Sequence, residues 1–385
     1  MNCMKRLDST KLFQKLTARA EDDLRNCRIG CAELLVRQDG AVVFHERFGT
    51  NGTNGPALPE HTVFRIASMT KPVTAAALLQ QVDAGRVSLL DPVSKYIPGF
   101  ASLSVGHREG EAIVRDRDAV GTLLVYQLLC HANGIGTTPF AELQMQKQPR
   151  DTLENVVNFY AEQPLAFDPY TSICYSESAA FDTAARIVEL VSGESYGQYL
   201  QNHIFGPLGM TDTTFAPTEE QWKRVVVMHA RNADGLSEDF PMDPGCVYES
   251  LPTSITCAGA GLVSTAEDYS RFAEMLLCEG VSRDGVRVLA ADTVRRMRTP
   301  HVPEFLMPGN DRWGLGVRVV TVDHPYPGLE RGCFGWSGAY GTHFWVDPVN
   351  HITAVYLRNS TYDSSGCGSI GVHFEEDVSK ALIND

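Results

Sequence analysis

The chain has 385 residues, of which 43% are hydrophobic and 21% are charged. Such a composition is typical of a folded globular protein that buries a substantial core. The formal charge of −14 argues against nucleic acid or an anionic membrane surface as a partner, because both need a basic footprint. Nothing in the sequence predicts an oligomeric state.

The N-terminal segment MNCMKRLDSTKLFQKLTARA has no apolar signal-peptide core, and no stretch of the chain has the apolar length that spans a bilayer. We therefore expect a cytoplasmic protein without membrane contact. The same segment predicts a surface helix capped by Ser9. Its apolar stripe would consist of Leu12, Phe13, Leu16, Ala20 and Leu24.

Ten cysteines are scattered along the chain. The two nearest in sequence, Cys27 and Cys31, have neither a second pair nor a histidine cluster with the spacing of a zinc site. A chain of this size also needs no disulfide bonds to stabilise its core. We therefore expect reduced thiols and no metal site.

Two apolar-rich runs, CAELLVRQ and AVVFHERFG, flank an Asp-Gly dipeptide at 39–40 and predict a β-hairpin, since that dipeptide favours a type I′ turn. Next, FRIASMTKPVTAAALLQQVDAG predicts a helix with Pro72 in its first turn and Gly85 at its end. Ser68 then lies at or just before the helix start. Lys71 follows one turn later on the same face.

Ser68 and Lys71 admit two interpretations. In one, Ser68 caps the helix and Lys71 extends into solvent. In the other, the serine is a nucleophile and a buried lysine is its base, because desolvation favours the neutral amine. The N–H groups that converge at a helix start would also suit an oxyanion. A Ser-x-x-Lys pair alone does not decide, since about one or two arise by chance in a chain of this length.

From about residue 90 to 257 the pattern favours helices and long loops. The clearest helices are RDTLENVVNFYAEQ and SAAFDTAARIVELVSG, the latter ending at Gly193. Strand signals return in RWGLGVRVVTV, predicted as one strand, and in GTHFWVDPVNHITAVYLRN, predicted as two strands around a turn at 347–350. GVHFEEDVSKALI predicts a closing helix. Strands near both ends with helices between them predict an α+β body with a helical insertion.

Several blocks, in order, resemble the serine β-lactamase-related family, which includes class C β-lactamases, D-alanyl-D-alanine carboxypeptidases, D-aminopeptidases and family VIII carboxylesterases. The blocks are FRIASMTKPVTAAALLQQVDAGRVSLLDPVSKYIPGF, LLCHANGI, YSESAAFDTAARIVELVSGESYGQYLQNHIFGPLGMTDTTF, CAGAGLVSTAEDYSRFAEMLLCEG and GWSGAYGTHFWVDP. The resemblance implies a β-lactamase/transpeptidase-like α+β fold, in which terminal helices flank an antiparallel sheet. Residues 1–90 and 258–385 would form this body, residues 91–257 a mainly helical domain, and the cleft between them the active site.

The resemblance also implies an acyl-enzyme mechanism. Ser68 would be the acylated nucleophile and Lys71 its partner. The family's Tyr-x-Asn triplet is matched by residues 175–177, so Tyr175 would share proton transfer with Lys71. A phenol, whose ordinary pKa is near 10, needs a neighbouring cation to become a usable base. The backbone N–H groups of Ser68 and Ala339 would form the oxyanion hole.

Two departures from the lactamase pattern bear on the substrate. Glu177 replaces the asparagine that hydrogen-bonds the acylamide group of a β-lactam, and a carboxylate accepts but does not donate. Trp336, Ser337 and Gly338 stand where the family normally has Lys-Thr-Gly or His-x-Gly. The missing cation normally helps to hold the substrate's carboxylate, whereas tryptophan offers an apolar face and one N–H donor. We therefore predict that these four residues contact the substrate and that esters are preferred.

Other eye-catching residues are interpreted as structural. The family mechanism uses no histidine, so neither His131 nor His343 is expected to act as a general base. Asp182 is expected to hydrogen-bond locally. The glycines of CAGAGLVS are expected to let two elements pack closely, because no phosphate-loop lysine follows them.

The sequence-based hypothesis is a serine hydrolase that acts on carboxylic esters through an acyl-enzyme and requires no metal or cofactor. The alternative is a D-aminopeptidase or D-amidase, a weak β-lactamase, or a penicillin-binding protein that deacylates slowly. A further alternative is acyl transfer to an alcohol, which the same acyl-enzyme permits when water is excluded. In each case the expected partner is a small-molecule ester or amide.

Overall fold

A computed structural model describes most of the chain. The described residues are 4–52, 54–137, 140–149, 151–231, 237–240, 257–323, 329–358, 360 and 367–383. The last part of the predicted helical domain, residues 241–256, lies outside them.

One antiparallel sheet of seven strands joins the two ends of the chain. Its strands are β1 (Cys31–Gln38), β2 (Ala41–Gly49), β3 (Asp311–Trp313), β4 (Arg318–Val320), β5 (Phe334–Ser337), β6 (His343–Asp347) and β7 (Ile352–Leu357). Their order across the sheet is β3-β4-β5-β6-β7-β1-β2. Strand β7 pairs with β1, with Tyr356 opposite Leu34. The strands near both termini therefore share one sheet, and the predicted fold class is confirmed.

Turn chemistry explains two parts of this sheet. Asp39 and Gly40 have φ values of 48° and 77°, which is the conformation of a type I′ turn, so the predicted hairpin is confirmed. The prediction of one strand across 312–322 is wrong, because the chain folds back there as the β3–β4 hairpin. Gly316 causes the interruption: it has φ +78°, and a Cβ on it would lie 2.5 Å from that of Ala75.

The main helices of the described residues are α1 (Ser9–Arg25), α2 (Thr70–Asp83), α3 (Leu153–Ala161), α4 (Ala179–Ser192), α5 (Ala266–Leu277), α6 (Ala291–Met297) and α7 (Cys367–Ser379). Further short helices occupy Val125–Leu129, Ala141–Lys147, Tyr196–Leu200, Gly206–Leu208 and Glu219–Trp222. The predicted cap of α1 is wrong: Asp8 accepts the N–H of Lys11, and Ser9 is already the first helical residue. Within the described residues, no helix combines the length and apolar character needed to cross a membrane.

The helices cover both faces of the sheet. Leu12 and Leu16 of α1 pack with Phe374 and Val378 of α7 against one face. Helices α2 and α5 belong to the larger core on the other face. Helix α2 is apolar almost all round and most of its residues are buried, as expected for a helix enclosed by other elements. The predicted flanking of the sheet by terminal helices is thus confirmed.

The middle of the chain contains helices and two strand ribbons. The predicted helices α3 and α4 are confirmed, and Gly193 ends α4 with φ +77°. The sequence pattern missed the antiparallel ribbon of Ser104–Glu109 with Ala112–Asp118. Most of the second strand is exposed, so it lacks the alternation of polar and apolar residues that identifies a half-buried strand. A further ribbon pairs Met228–Arg231 with Ser237–Phe240.

Candidate active site

Ser68 lies on a tight turn that leads into α2. The turn is a short 3-10 helix, Ala67–Met69. Ala67 has φ +44°, a left-handed conformation that is uncommon for a residue with a Cβ and that often marks a functional site. Ala67 and Met69 are buried, whereas Ser68 is partly exposed. The turn therefore fixes the backbone while it leaves the hydroxyl of Ser68 accessible.

Lys71 is fully buried beneath this hydroxyl. Its Nζ lies 3.1 Å from Oγ of Ser68. It also donates to the main-chain carbonyl of Glu177 and, over 2.9 Å, to that of Gly259. A neutral amine would use its two N–H bonds on these carbonyls and keep its lone pair for the Ser68 proton. The arrangement can therefore remove a proton from the serine and hold it as an ammonium with three acceptors.

Close backbone packing brings those two carbonyls together. A Cβ on Gly259 would lie 2.6 Å from Cα of Ser178 and 2.7 Å from the carbonyl oxygen of Glu177. Only glycine allows the 257–262 loop to approach the start of α4 so closely. The expectation that glycines in this block permit close packing is confirmed. Sequence reasoning missed both carbonyls as partners of Lys71, because a main-chain acceptor leaves no residue-type signal.

Asp182 adds a buried carboxyl near Lys71. It lies in the first turn of α4, and its Oδ1 accepts the N–H of Ala258 over 2.7 Å. The expected local hydrogen bond is also present, to Ser178 four residues earlier. Asp182 therefore links the start of α4 to the loop that carries Gly259. Burial raises the pKa of Asp182 to about 7, while the N–H of Ala258 and the charge of Lys71 oppose this shift.

Tyr175 lies on the other side of Lys71. The centroid of its ring is 4.7 Å from Nζ of Lys71, close enough for a favourable cation–π interaction. Its phenolic oxygen accepts the indole N–H of Trp336 over 3.2 Å. The structure thus brings together Ser68, Lys71, Tyr175 and Trp336, which the sequence analysis selected from three separate segments.

The end of β5 is fastened to the turn that precedes Ser68. A Cβ on Gly338 would lie 2.3 Å from the carbonyl oxygen of Ile66 and 2.2 Å from Oγ1 of Thr342. The hydroxyl of Thr342 donates to the same carbonyl over 3.0 Å. Ala339 follows in an exposed turn, and its N–H donates to no acceptor among the described residues. An oxyanion could use such a donor.

Two residues predicted to bind substrate, Ser337 and Glu177, make contacts within the protein. The hydroxyl of Ser337 lies 2.8 Å from Nδ1 of His343, whose Nε2 is 3.1 Å from a carboxylate oxygen of Glu375 in α7. Ser337 is therefore already engaged through its side chain. The side chain of Glu177 is partly exposed, and the carbonyl of this residue is the group that contacts Lys71. Their contact with substrate stays a prediction.

One cluster has the residue types of a metal site. Side-chain atoms of Glu33, His45 and Glu267 lie within 4.8 Å of one another. However, Nε2 of His45 bonds Glu33 over 2.8 Å, and Arg47 lies 3.5 Å from the same carboxylate oxygen. The bond to Glu33 raises the pKa of His45, as an ion pair does. We therefore interpret these residues of β1, β2 and α5 as an ion-pair network.

On this α+β scaffold, a partly exposed serine hydroxyl lies beside a buried lysine, which also contacts a tyrosine ring. The Beta-lactamase family profile matches residues 12–369, and the chain belongs to the Beta-lactamase family. Penicillin-binding protein 4 of Amycolatopsis lactamdurans is 30% identical over 336 residues, covering 86% of this chain and 79% of that protein. Esterase EstB of Burkholderia gladioli is 26% identical over 386 residues, covering 93% of each. The solved structure of EstCE1, a hydrolase with promiscuous acyltransferase activity, has a TM-score of 0.80 at 21% identity and covers 97% of this chain and 98% of its own.

Proposed function

We propose that this protein is a serine hydrolase that cleaves carboxylic esters through an acyl-enzyme on Ser68. The observation that carries the proposal is the 3.1 Å contact between Nζ of Lys71 and Oγ of Ser68. Because two carbonyls accept the N–H groups of this amine, its lone pair is left for the hydroxyl proton of Ser68. Nucleophile and base within hydrogen-bond reach are the requirement for this chemistry.

The proposed reaction has two halves. Neutral Lys71 takes the proton of Ser68 as Oγ attacks the ester carbonyl, and the N–H groups of Ser68 and Ala339 stabilise the oxyanion. Lys71 and Tyr175 then deliver the proton to the departing alcohol, which leaves an acylated serine. Water attacks this acyl group while the same pair accepts its proton. The pair then returns that proton to Oγ of Ser68 as the C–Oγ bond breaks, which releases the acid and restores the starting state.

The preference for esters rests on the surroundings of Tyr175. Trp336 presents an aromatic face there, and its N–H is directed to the phenolic oxygen. Trp313 stacks on the same tyrosine, with ring centroids 6.0 Å apart. Neither side chain carries a charge that would hold a substrate carboxylate, so neutral acyl and alkyl groups fit this wall better. The similarity to an esterase over 93% of the chain supports the same substrate class.

The test is a side-by-side turnover assay of the purified protein with p-nitrophenyl acetate, p-nitrophenyl butyrate, nitrocefin and D-alanine p-nitroanilide. Ser68→Ala serves as the blank, because it removes only the nucleophilic oxygen. We expect ester turnover to exceed lactam and D-amide turnover by at least about tenfold, with no turnover by the variant. Activity retained in Ser68→Ala would refute the mechanism, and a faster D-amide reaction would refute the substrate class.

Two related functions are separated by the same assay. The similarity to a penicillin-binding protein favours a chain that acylates but deacylates slowly, which would appear as a burst of one equivalent without steady turnover. Acyl transfer would appear as an ester product when an alcohol acceptor is added.

We further propose that residues 1–90 and 258–385 form the body, that residues 91–257 form the helical domain, and that substrate binds between them.

A further inference from the structure

We infer that His131 is a positioning residue that holds the main chain on both sides of Tyr175, an inference that rests on the proposed role of Tyr175 in proton transfer. The carbonyl of His131 accepts the N–H of Cys174 over 3.2 Å. Its ring Nδ1 accepts the N–H of Ser176 over 3.0 Å. One residue therefore fixes the amides immediately before and after the tyrosine.

The second bond requires a neutral imidazole with its proton on Nε2. An imidazolium would present an N–H at Nδ1 to the N–H of Ser176, and two donors cannot bond each other. His131 is fully buried, and both this burial and the nearby charge of Lys71 lower its pKa well below the ordinary value. The surroundings thus keep Nδ1 available as an acceptor over the working range of pH.

The ring of His131 also limits where the tyrosine ring can go. Its centroid lies 4.5 Å from that of Tyr175 and 4.3 Å from that of Trp313. Phe181, at 5.5 Å, contacts it as well. Because protein interiors are close-packed, a smaller or displaced ring at 131 would let Tyr175 shift relative to Lys71.

A role as core filler alone does not explain a histidine here. Its buried Nε2 has no hydrogen-bond partner among the described residues, and an unsatisfied buried polar atom is destabilising. The backbone at His131 has φ +58°, which is unusual for a residue with a Cβ. An apolar side chain would avoid the first of these penalties, but it would leave the N–H of Ser176 without its acceptor.

The test compares His131→Asn with His131→Leu. Asparagine places an acceptor oxygen near the position of Nδ1 and tolerates a positive φ, whereas leucine fills space without an acceptor. For p-nitrophenyl butyrate we expect His131→Leu to lower kcat about 10- to 100-fold, as a small misplacement of a catalytic group does, with KM changed less than about twofold. His131→Asn should recover kcat to within about threefold of wild type. Cys130→Ala, at the neighbouring buried position, is the matched control.

A double-mutant comparison separates this inference from the proposed function. If His131 acts through Tyr175, His131→Leu should change kcat less than about twofold in a Tyr175→Phe background. If Tyr175→Phe alone leaves kcat unchanged, the proposed role of the tyrosine fails. If Tyr175→Phe lowers kcat but His131→Leu adds its full effect, or if leucine and asparagine are equally impaired, positioning by His131 is overturned. Thermal unfolding establishes that each variant is folded, and His131→Ala replaces the leucine variant if that one is not.

Discussion

The indole of Trp336 donates a hydrogen bond to the phenolic oxygen of Tyr175 over 3.2 Å, and the two rings lie 5.6 Å apart. A donor directed at this oxygen holds the phenol in one orientation. Nζ of Lys71, on the other side of the tyrosine, lies 4.7 Å from the centroid of the same ring. Trp336 therefore combines two roles in the proposed site: it forms an apolar wall and it assists the proton-transfer pair.

Replacing Trp336 by phenylalanine tests the second of these roles. The variant keeps an aromatic wall but removes the N–H, and one hydrogen bond contributes up to about 1.5 kcal/mol. We expect kcat for p-nitrophenyl butyrate to fall about tenfold, with little change in KM. Trp313→Phe is the matched control, since Trp313 stacks on the tyrosine. Equal kcat values for wild type and Trp336→Phe would contradict the assigned role.

Replacing Gly338 by alanine tests the contact between β5 and the Ser68 turn. The added methyl group would meet the carbonyl of Ile66 at 2.3 Å, so β5 must move away from that turn. We expect a destabilisation of about 1–3 kcal/mol and a loss of kcat larger than that of KM. Gly110→Ala is the control for a destabilising alanine away from the site, because a Cβ there meets nothing within 4 Å while the φ of +60° disfavours alanine. Full activity in Gly338→Ala would show that the site does not depend on this approach.

The raised pKa of the Asp182 carboxyl predicts that the free energy of unfolding depends on pH. Burial raises its pKa from 3.8 to about 7, so the folded state favours the protonated carboxyl. Its contribution is fully present below pH 4 and is lost as pH rises through 7. Asp182→Asn has no proton to lose at this position. The free energy of unfolding of the variant minus that of wild type should therefore increase between pH 4.5 and 7.5. Urea unfolding at both pH values measures this difference, and a constant or falling difference would show that Asp182 ionises normally.

The burial of the cysteine thiols predicts the order in which they react with an alkylating reagent. The structure describes free thiols at Cys27, Cys31, Cys130, Cys174, Cys257, Cys278 and Cys333. Burial raises the pKa of Cys130 and Cys257 to about 12, and a thiol rather than a thiolate reacts slowly. Cys278 is exposed. We expect iodoacetamide to modify Cys278 in the native protein and the two buried thiols only after unfolding, as read by mass spectrometry. Native modification of Cys130 before Cys278 would contradict this order.

Local sequence signals located much of the fold and of the candidate site. Pro72 and Gly85 marked the ends of α2, and the dipeptide at 39–40 marked a hairpin, because each acts on its own stretch of backbone. The prediction of a strand across 312–322 was wrong because Gly316 turns the chain to pack against α2. That contact joins residues far apart in sequence, and no local pattern reports it.

The features of the site that sequence reasoning missed also arise from contacts between residues far apart in sequence. The carbonyls of Glu177 and Gly259 meet Lys71 only after the loop and α4 have packed. Asp182 bonds Ala258 across 76 residues of sequence, and His131 bonds Ser176 across 45. The family resemblance indicated that His131 was structural, but only the fold shows which segment it holds.

The pairing of β7 with β1 sets the order in which a nascent chain can assemble this protein. Ribosomes add about 5–20 residues per second, so the β1–β2 hairpin is made tens of seconds before its partner β7. Throughout that time the edge of β1 that later pairs with β7 is unpaired, and an unpaired strand edge favours aggregation. The turn bearing Ser68 is also synthesised early, but β5 reaches it only near the end of translation. A product truncated before Phe334 would contain Ser68 without the strand that completes its surroundings, so we expect no hydrolysis from such a fragment.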